Sequence, residues 1–147
     1  AIDGEPLPLY GDGRQCRDWL SVYDHAAGIQ HVFEQGEPGT VYNVGGGNER
    51  ENITVAEQIV ATLGKSRSLI RFVQDRPGHD RRYSIDCRRL RALGWSPQVP
   101  FEEGLKQTVE WYRTHESWWR TIKSGEFKDY YQQQYAKRLQ QGTACGL

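Results

Sequence analysis

Short extended runs alternate with helix-forming stretches along this chain, and glycine or proline punctuates nearly every junction. That alternation confines it to the α/β or α+β classes. Pro6–Gly13 (PLPLYGDG) reads as extended chain running into a turn, because prolines pin φ and Gly-Asp-Gly favours reversal. Trp19–Val22 is a short strand candidate. Asp24 stands where an N-cap belongs, before Ala26, Ile29, Val32 and Phe33 at helical spacing, and Gly36 closes that helix. Thr40–Val44 predicts a compact strand ending in Gly45-Gly46-Gly47. Thr54-Val55-Ala56-Glu57 matches a capping box, with Gly64 placed to end its helix. Leu69–Val73 predicts a strand, Tyr83–Ile85 further extended chain, and Arg88–Leu93 a short helix closed by Gly94. Phe101–Tyr112 predicts an amphipathic helix, Trp118–Leu139 a partly helical tail, and residues 140–147 frayed chain.

The glycines do not make a dinucleotide fingerprint. No G-x-G-x-x-G separates a strand from a helix. Gly45–Gly47 runs into Asn48-Glu49-Arg50-Glu51, whose carboxylates would repel a pyrophosphate, so a flexible strand exit is the reading there. Five Trp, eight Tyr and four Phe supply a core for one globular domain. No apolar run approaches the ~20 residues that cross a bilayer. Three widely spaced cysteines fit neither a zinc site nor a disulfide framework and point to a reducing cytoplasm. The chain has no Met and opens on AIDGEPLPLYG without an element of its own, which predicts the middle of a longer protein.

Net charge is zero, which gives no reason to expect nucleic acid or a membrane as partner. Its distribution is uneven. Residues 1–64 carry 3 basic and 10 acidic side chains, whereas residues 65–91 carry 9 and 3. The basic segment contains Asp75-Arg76-Pro77-Gly78-His79-Asp80-Arg81-Arg82. Pro77-Gly78 predicts a tight reversal across which Arg76 and His79 converge, with Asp75 and Asp80 placed to hold them. An anion grip and a charge-laced surface turn both explain this run. Arg17, in RDW, is either half of a surface ion pair or a guanidinium fork for a phosphate. Asn52, just before a helix, is either a cap or a polar contact. The pairs Glu102/Glu103, Glu49/Glu51 and Asp80/Asp86 carry no catalytic pattern, and His25 and His31 lack metal-ligand spacing. No Ser or Cys stands in a nucleophile motif, so neither catalytic nor metal residues are expected.

Four segments together resemble a known family: LPLYGDGRQCRDWLSVYDHAAGI, VYNVGGGNERENITV, FVQDRPGHDRRYSID and LGWSPQVPFEEGLKQTVEWY. They are similar to the carboxy-terminal part of the dTDP-glucose 4,6-dehydratase family, within the extended short-chain dehydrogenase/reductase superfamily. RDW-x-x-V-x-DH and YN-x-G are common to many nucleotide-sugar enzymes, while DRPGHDRRY-x-ID is narrower. The resemblance implies a nucleotide-sugar-binding lobe over residues 1–139, a small mixed sheet with helices that lacks the Rossmann core. It implies that Pro8, Leu9 and Tyr10 line the nucleotide pocket and that Arg17 and Asn52 hold substrate. Asp75, Arg76, Pro77, Gly78 and His79 would close around the diphosphate end, with Arg81 and Arg82 holding the loop.

The implied activity of a complete enzyme is NAD-dependent loss of water from a dTDP-sugar in deoxysugar synthesis, with a homodimer as a possible assembly. The family's Tyr-x-x-x-Lys pair is absent: the fourth residue after Tyr10 is Arg14, after Tyr83 Cys87, and after Tyr112 Glu116. The expectation is therefore a lobe that is inactive alone, binds no NAD itself and packs on its own Rossmann domain through segments such as VYNVG. A non-catalytic binding module and a UDP- or GDP-sugar epimerase or decarboxylase remain open.

Overall fold

A computed structural model describes residues 1–123 and 125–142. Strand β1 (Leu7–Tyr10) pairs in parallel with β4 (Ile70–Val73), in the register Leu7↔Ile70 to Tyr10↔Val73. Strand β2 (Cys16–Asp18) pairs antiparallel with β3 (Glu49–Glu51). The single small mixed sheet expected from the sequence is thus two two-stranded sheets. On its other side β2 is bridged by Arg82: the Cys16 N–H donates to Arg81 O (2.8 Å) and the Tyr83 N–H to Cys16 O (3.1 Å). The charged run therefore leaves the end of β4 and is laced back onto β2.

Helix α1 (Val22–Gln35) starts earlier than the sequence predicts, so the expected Trp19–Val22 strand is replaced by β2 upstream and by the helix start. Ser21 is its N-cap, its hydroxyl accepting from Tyr23 N. Asp24 is a buried carboxylate in the first turn. It accepts the backbone N–H groups of Gln98 (3.0 Å) and Val99 (2.9 Å), satisfying donors in the loop before α4 (Phe101–Thr114).

Helix α2 (Asn52–Thr62) also begins ahead of its predicted capping box, with Thr54 inside it. The N–H groups of Asn52 and Ile53 donate to the carbonyls of Gln15 (3.0 Å) and Gly13 (2.9 Å). The turn after β1 therefore does the work of a side-chain cap. Helix α3 (Arg88–Ala92) follows expectation. The tail is two helices, α5 (Glu116–Lys123) and α6 (Glu126–Gly142). Of the segment expected to fray, residues 140–142 are the end of α6 and 143–147 lie outside the described residues.

Val55 and Val60 of α2, Ile70 and Val73 of β4, Phe101 and Val109 of α4, Trp119 of α5, and Leu90 and Trp95 are among the buried apolar side chains, with α2 packed on α4 and α4 on α5. Each such side chain contributes roughly 1.5–3 kcal/mol on burial. The apolar positions of α1 do not join them: Phe33 is 90% exposed, with Val22 and Ile29 also outside, and the helix buries Asp24 and Gly28 instead.

Thr40–Val44 forms no ladder, because no strand among the described residues lies beside it. It is held by single bonds, Asn43 Nδ2 to Asp86 O and Arg89 Nη1 to Val41 O. The glycines after it are packed, not loose. A Cβ on Gly46 would stand 2.5 Å from the Trp19 carbonyl oxygen, and one on Gly45 2.7 Å from Asp18 Oδ2.

Candidate functional site

Parallel strands β1 and β4 end at the same edge, where the Gly11 N–H donates to Val73 O (2.9 Å). Beyond that edge the two turns face each other, and crevices outside the carboxyl ends of parallel strands are where α/β folds place ligands. Gly11 is the close approach here: it has φ +57°, and a Cβ would meet Asp75 Oδ2 at 2.8 Å.

Asp75 organises the loop. Its Oδ1 accepts from its neighbour's amide, Arg76 N (2.8 Å), and lies 2.7 Å from His79 Nδ1, while Oδ2 accepts from Gln15 Nε2 (2.9 Å). Burial pulls the Asp75 pKa up, but the His79 ring, the Arg76 amide and the Gln15 amide more than offset this and leave it below the usual value. The His79 side chain is 6% exposed. Its Nε2 lies 3.0 Å from Arg17 Nη2, and a guanidinium only donates, so Nε2 accepts and the ring proton sits on Nδ1, toward Asp75. Arg17 also donates to Cys16 O (2.6 Å) and Asp80 O (3.1 Å) and lies 4.1 Å over the Tyr83 ring. Tyr83 is fixed in turn by its hydroxyl, which donates to Asp80 Oδ2 (2.7 Å).

The three arginines and the histidine of the basic run divide cleanly. Arg81 Nη1 donates to both Asp12 oxygens (2.8 and 3.1 Å) and Arg82 forks onto Glu49 through Nε and Nη2 (2.5 and 2.7 Å), so both hold the loop in place. His79 is occupied at both ring nitrogens. The Arg76 guanidinium enters no hydrogen bond or ion pair among the described residues.

Tyr10 meets the His79 ring edge-on at 5.8 Å, bringing β1 into the same cluster. Helix α6 closes over it: the Tyr135 ring lies 6.3 Å from that of Tyr10, and the hydrogen bond with the Tyr10 hydroxyl, with burial, pushes Tyr135 up to about 12. Leu9 turns instead toward Gly13 and Ile53. Pro8 lies on β1 paired with Arg71, and Pro77-Gly78 is an exposed turn. Asn52 reaches the cluster through its backbone bond to Gln15. The structure thus gathers Tyr10, Arg17, Asp75 and His79 in one line of contacts, with Arg76 joined to it through its backbone amide and Asn52 through its backbone bond to Gln15.

Gln15, Tyr83 and Tyr135 were not anticipated. Gln15 immediately precedes β2 and stands two residues before Arg17. Nothing local in the sequence marks Tyr135. Among the described residues no group of three or more His, Cys, Asp and Glu side chains is arranged to hold a metal, and no helix is long and apolar enough to cross a membrane. Two clefts flank α4, one of about 570 Å³ lined by Leu7, Ile59, Leu105 and Trp119, the other of about 750 Å³ lined by Trp19, Val99, Phe101 and Trp111. Both are largely apolar and neither includes a residue of the charged cluster, which is the chemically equipped site.

A family model described as GDP-mannose 4,6 dehydratase matches residues 1–108. The dTDP-glucose 4,6-dehydratase of Xanthomonas campestris pv. campestris is 49% identical over 138 residues, which is 87% of this chain and 39% of that protein. A solved dTDP-glucose 4,6-dehydratase from Bacillus anthracis, in complex with NAD, superposes with a TM-score of 0.77 at 47% identity, covering 82% of this chain and 39% of that one. The UDP-glucose 4-epimerase of Thermotoga maritima, with UDP-glucose, gives 0.71 at 30% identity, covering 77% and 36%. The chain spans about two fifths of the length of the relatives it matches. With the match running from residue 1 through β1 and the Arg17–His79 cluster and into α4, the chain belongs to the GDP-mannose 4,6 dehydratase family.

Proposed function

We propose that residues 1–139 are the nucleotide-sugar-binding lobe of a dTDP-glucose 4,6-dehydratase, an enzyme converting dTDP-glucose to dTDP-4-keto-6-deoxyglucose with loss of water in deoxysugar synthesis. The observation that carries the reading is the cluster at the ends of β1 and β4. Arg17 is fixed there by His79, and Arg76 follows Asp75 in the same loop with its guanidinium unengaged among the described residues. A diphosphate needs such fixed cations, and arginine meets phosphate oxygens with a planar fork. Tyr10, with Pro8 two residues before it on β1, forms the nucleotide side, Leu9 backs that strand from the Gly13–Ile53 side, and Asn52 at the start of α2 holds the sugar side. Higher identity to the named dehydratases (49%) than to the epimerase (30%) favours the dehydratase reading over epimerisation.

NAD is bound in the Bacillus anthracis relative. The residues of this chain do not fit it: the one glycine cluster after an extended run is filled by Asp18, Trp19 and Cys87. The hydride chemistry belongs to the rest of such an enzyme, and the chain alone is inactive. Its partner is that Rossmann domain, which would cover the outer face of α1, Val22, Ile29 and Phe33, and extend a sheet onto Thr40–Val44, where Val41 is 74% exposed. Free thiols at Cys16 and Cys87 suit a cytoplasmic setting.

Calorimetric titration of the protein with dTDP-, UDP- and GDP-glucose tests the reading. Tightest binding of dTDP-glucose is expected, and preference for UDP-glucose would overturn the thymidine assignment.

A further inference from the structure

Gln15 is 3% exposed and touches two of the segments that the binding reading requires. Its backbone carbonyl accepts from Asn52 N (3.0 Å) at the start of α2, and its side-chain amide donates to Asp75 Oδ2 (2.9 Å) across 60 residues of sequence. From Asp75 the line of contacts continues through His79 Nδ1 (2.7 Å) and His79 Nε2 to Arg17 Nη2 (3.0 Å). Arg17, on β2, lies two residues after Gln15, so the line closes on itself. Its members come from the turn after β1, β2, α2 and the loop after β4.

The amide is expensive where it stands. Gln15 Oε1 is buried and has no hydrogen-bond partner among the described residues, and an unpaired buried acceptor costs stability. An apolar side chain of similar volume would avoid that cost, so fold stability alone does not call for glutamine. What the amide supplies is a donor that fixes one oxygen of Asp75, leaving the other aimed at the His79 ring.

We propose that Gln15 is a positioning residue of the anion grip: by holding Asp75 it sets the tautomer of His79 and so orients the Arg17 guanidinium toward the bound diphosphate. The inference rests on the binding reading above for its last step, but its first steps are visible without ligand.

Long-range ¹H–¹⁵N spectra of the protein at mildly alkaline pH report the His79 tautomer directly. The wild type should show the proton on Nδ1. Gln15→Leu, which keeps the bulk and removes the donor, should shift His79 toward mixed tautomers and weaken dTDP binding by about tenfold, the loss of one hydrogen bond to a charged group. A folded Gln15→Leu protein with the wild-type tautomer and wild-type dTDP affinity would overturn the proposal. In the wild type the Gln15 side-chain amide protons should exchange slowly with solvent. Exchange at the rate of a free amide would also overturn it, whether or not the variant folds. If dTDP binds neither protein while the tautomer still responds to Gln15→Leu, the positioning step stands and the nucleotide reading fails.

Discussion

Arg17 Nη2 stands 3.0 Å from His79 Nε2, joining β2 to the loop after β4 across 62 residues of sequence. This contact sorts the basic cluster into two kinds of cation. Arg17 is held by His79, by the Cys16 and Asp80 carbonyls and by the Tyr83 face, while among the described residues Arg76 is tethered through its backbone amide to Asp75 alone. A held guanidinium sets geometry, and an unengaged one supplies charge without first breaking a protein contact.

Arg17→Lys therefore should not behave as a conservative change. Lysine keeps the charge but lacks the fork that reaches His79 and Asp80 together. We expect dTDP binding weaker by about 1–3 kcal/mol and a lower urea midpoint, since His79 Nε2 loses its donor. Titration calorimetry and urea denaturation read the two effects; wild-type values in both would remove Arg17 from the cluster.

Arg76→Ala should separate them. Its guanidinium has no bond among the described residues, so stability should stay within about 0.5 kcal/mol of wild type. Nucleotide affinity should fall by about 1–3 kcal/mol. Unchanged dTDP affinity would exclude Arg76 from the site.

The division between these arginines shows where sequence reasoning stops. The alternation of elements and the turn at Pro77-Gly78 were legible, because each depends on residues close in sequence; that Arg81 and Arg82 hold the loop came only with the resemblance, and their partners Asp12 and Glu49 lie 69 and 33 residues away. The engagement of His79 was not legible, since it depends on a β2 residue brought over by the Arg82 bridge. Thr40–Val44 has the composition of a strand, but a ladder needs a neighbour, and composition cannot supply one. Asp24 looked like a cap because its role is set by Gln98 and Val99, 74 and 75 residues away.

Acid should loosen the protein in a defined window. Hydrogen bonds from Arg82 hold Glu49 down at about 2 against an ordinary 4.5, and Arg88 holds Asp86 at about 2 against 3.8. Lowered folded-state values mean that the stabilisation is present above the ordinary values and is lost as pH falls through about 2. Urea midpoints should decline across that interval, less steeply in Glu49→Gln. Because these pairs lie at the surface, added salt should shrink the effect. A Glu49→Gln protein with the wild-type slope would contradict it.

Tyr135→Phe should shorten the alkaline titration. Its hydrogen bond to the Tyr10 hydroxyl, with burial, favours the neutral phenol and places its ionisation at about 12. The raised value means that this stabilisation is present below the ordinary value of 10 and is lost as pH rises through about 12. Ultraviolet titration of the phenolates should lose the step at about 12 in the variant. Persistence of that step would mean that α6 does not close over Tyr10.

Gly46→Ala tests whether the glycines after Thr40–Val44 are slack or packed. A flexible exit would tolerate a methyl group with little change. Here the new Cβ would lie 2.5 Å from the Trp19 carbonyl oxygen, a backbone atom that cannot rotate away, and 3.3 Å from Asp18 Oδ1. That oxygen also accepts from the Asn48 amide (2.7 Å), so moving either neighbour disturbs the end of β2 where it passes Asn48. We expect a loss of about 1–3 kcal/mol in urea denaturation, the range for overpacking a filled site. A neutral substitution would restore the flexible reading and reopen this turn as a place where a ligand's backbone could approach.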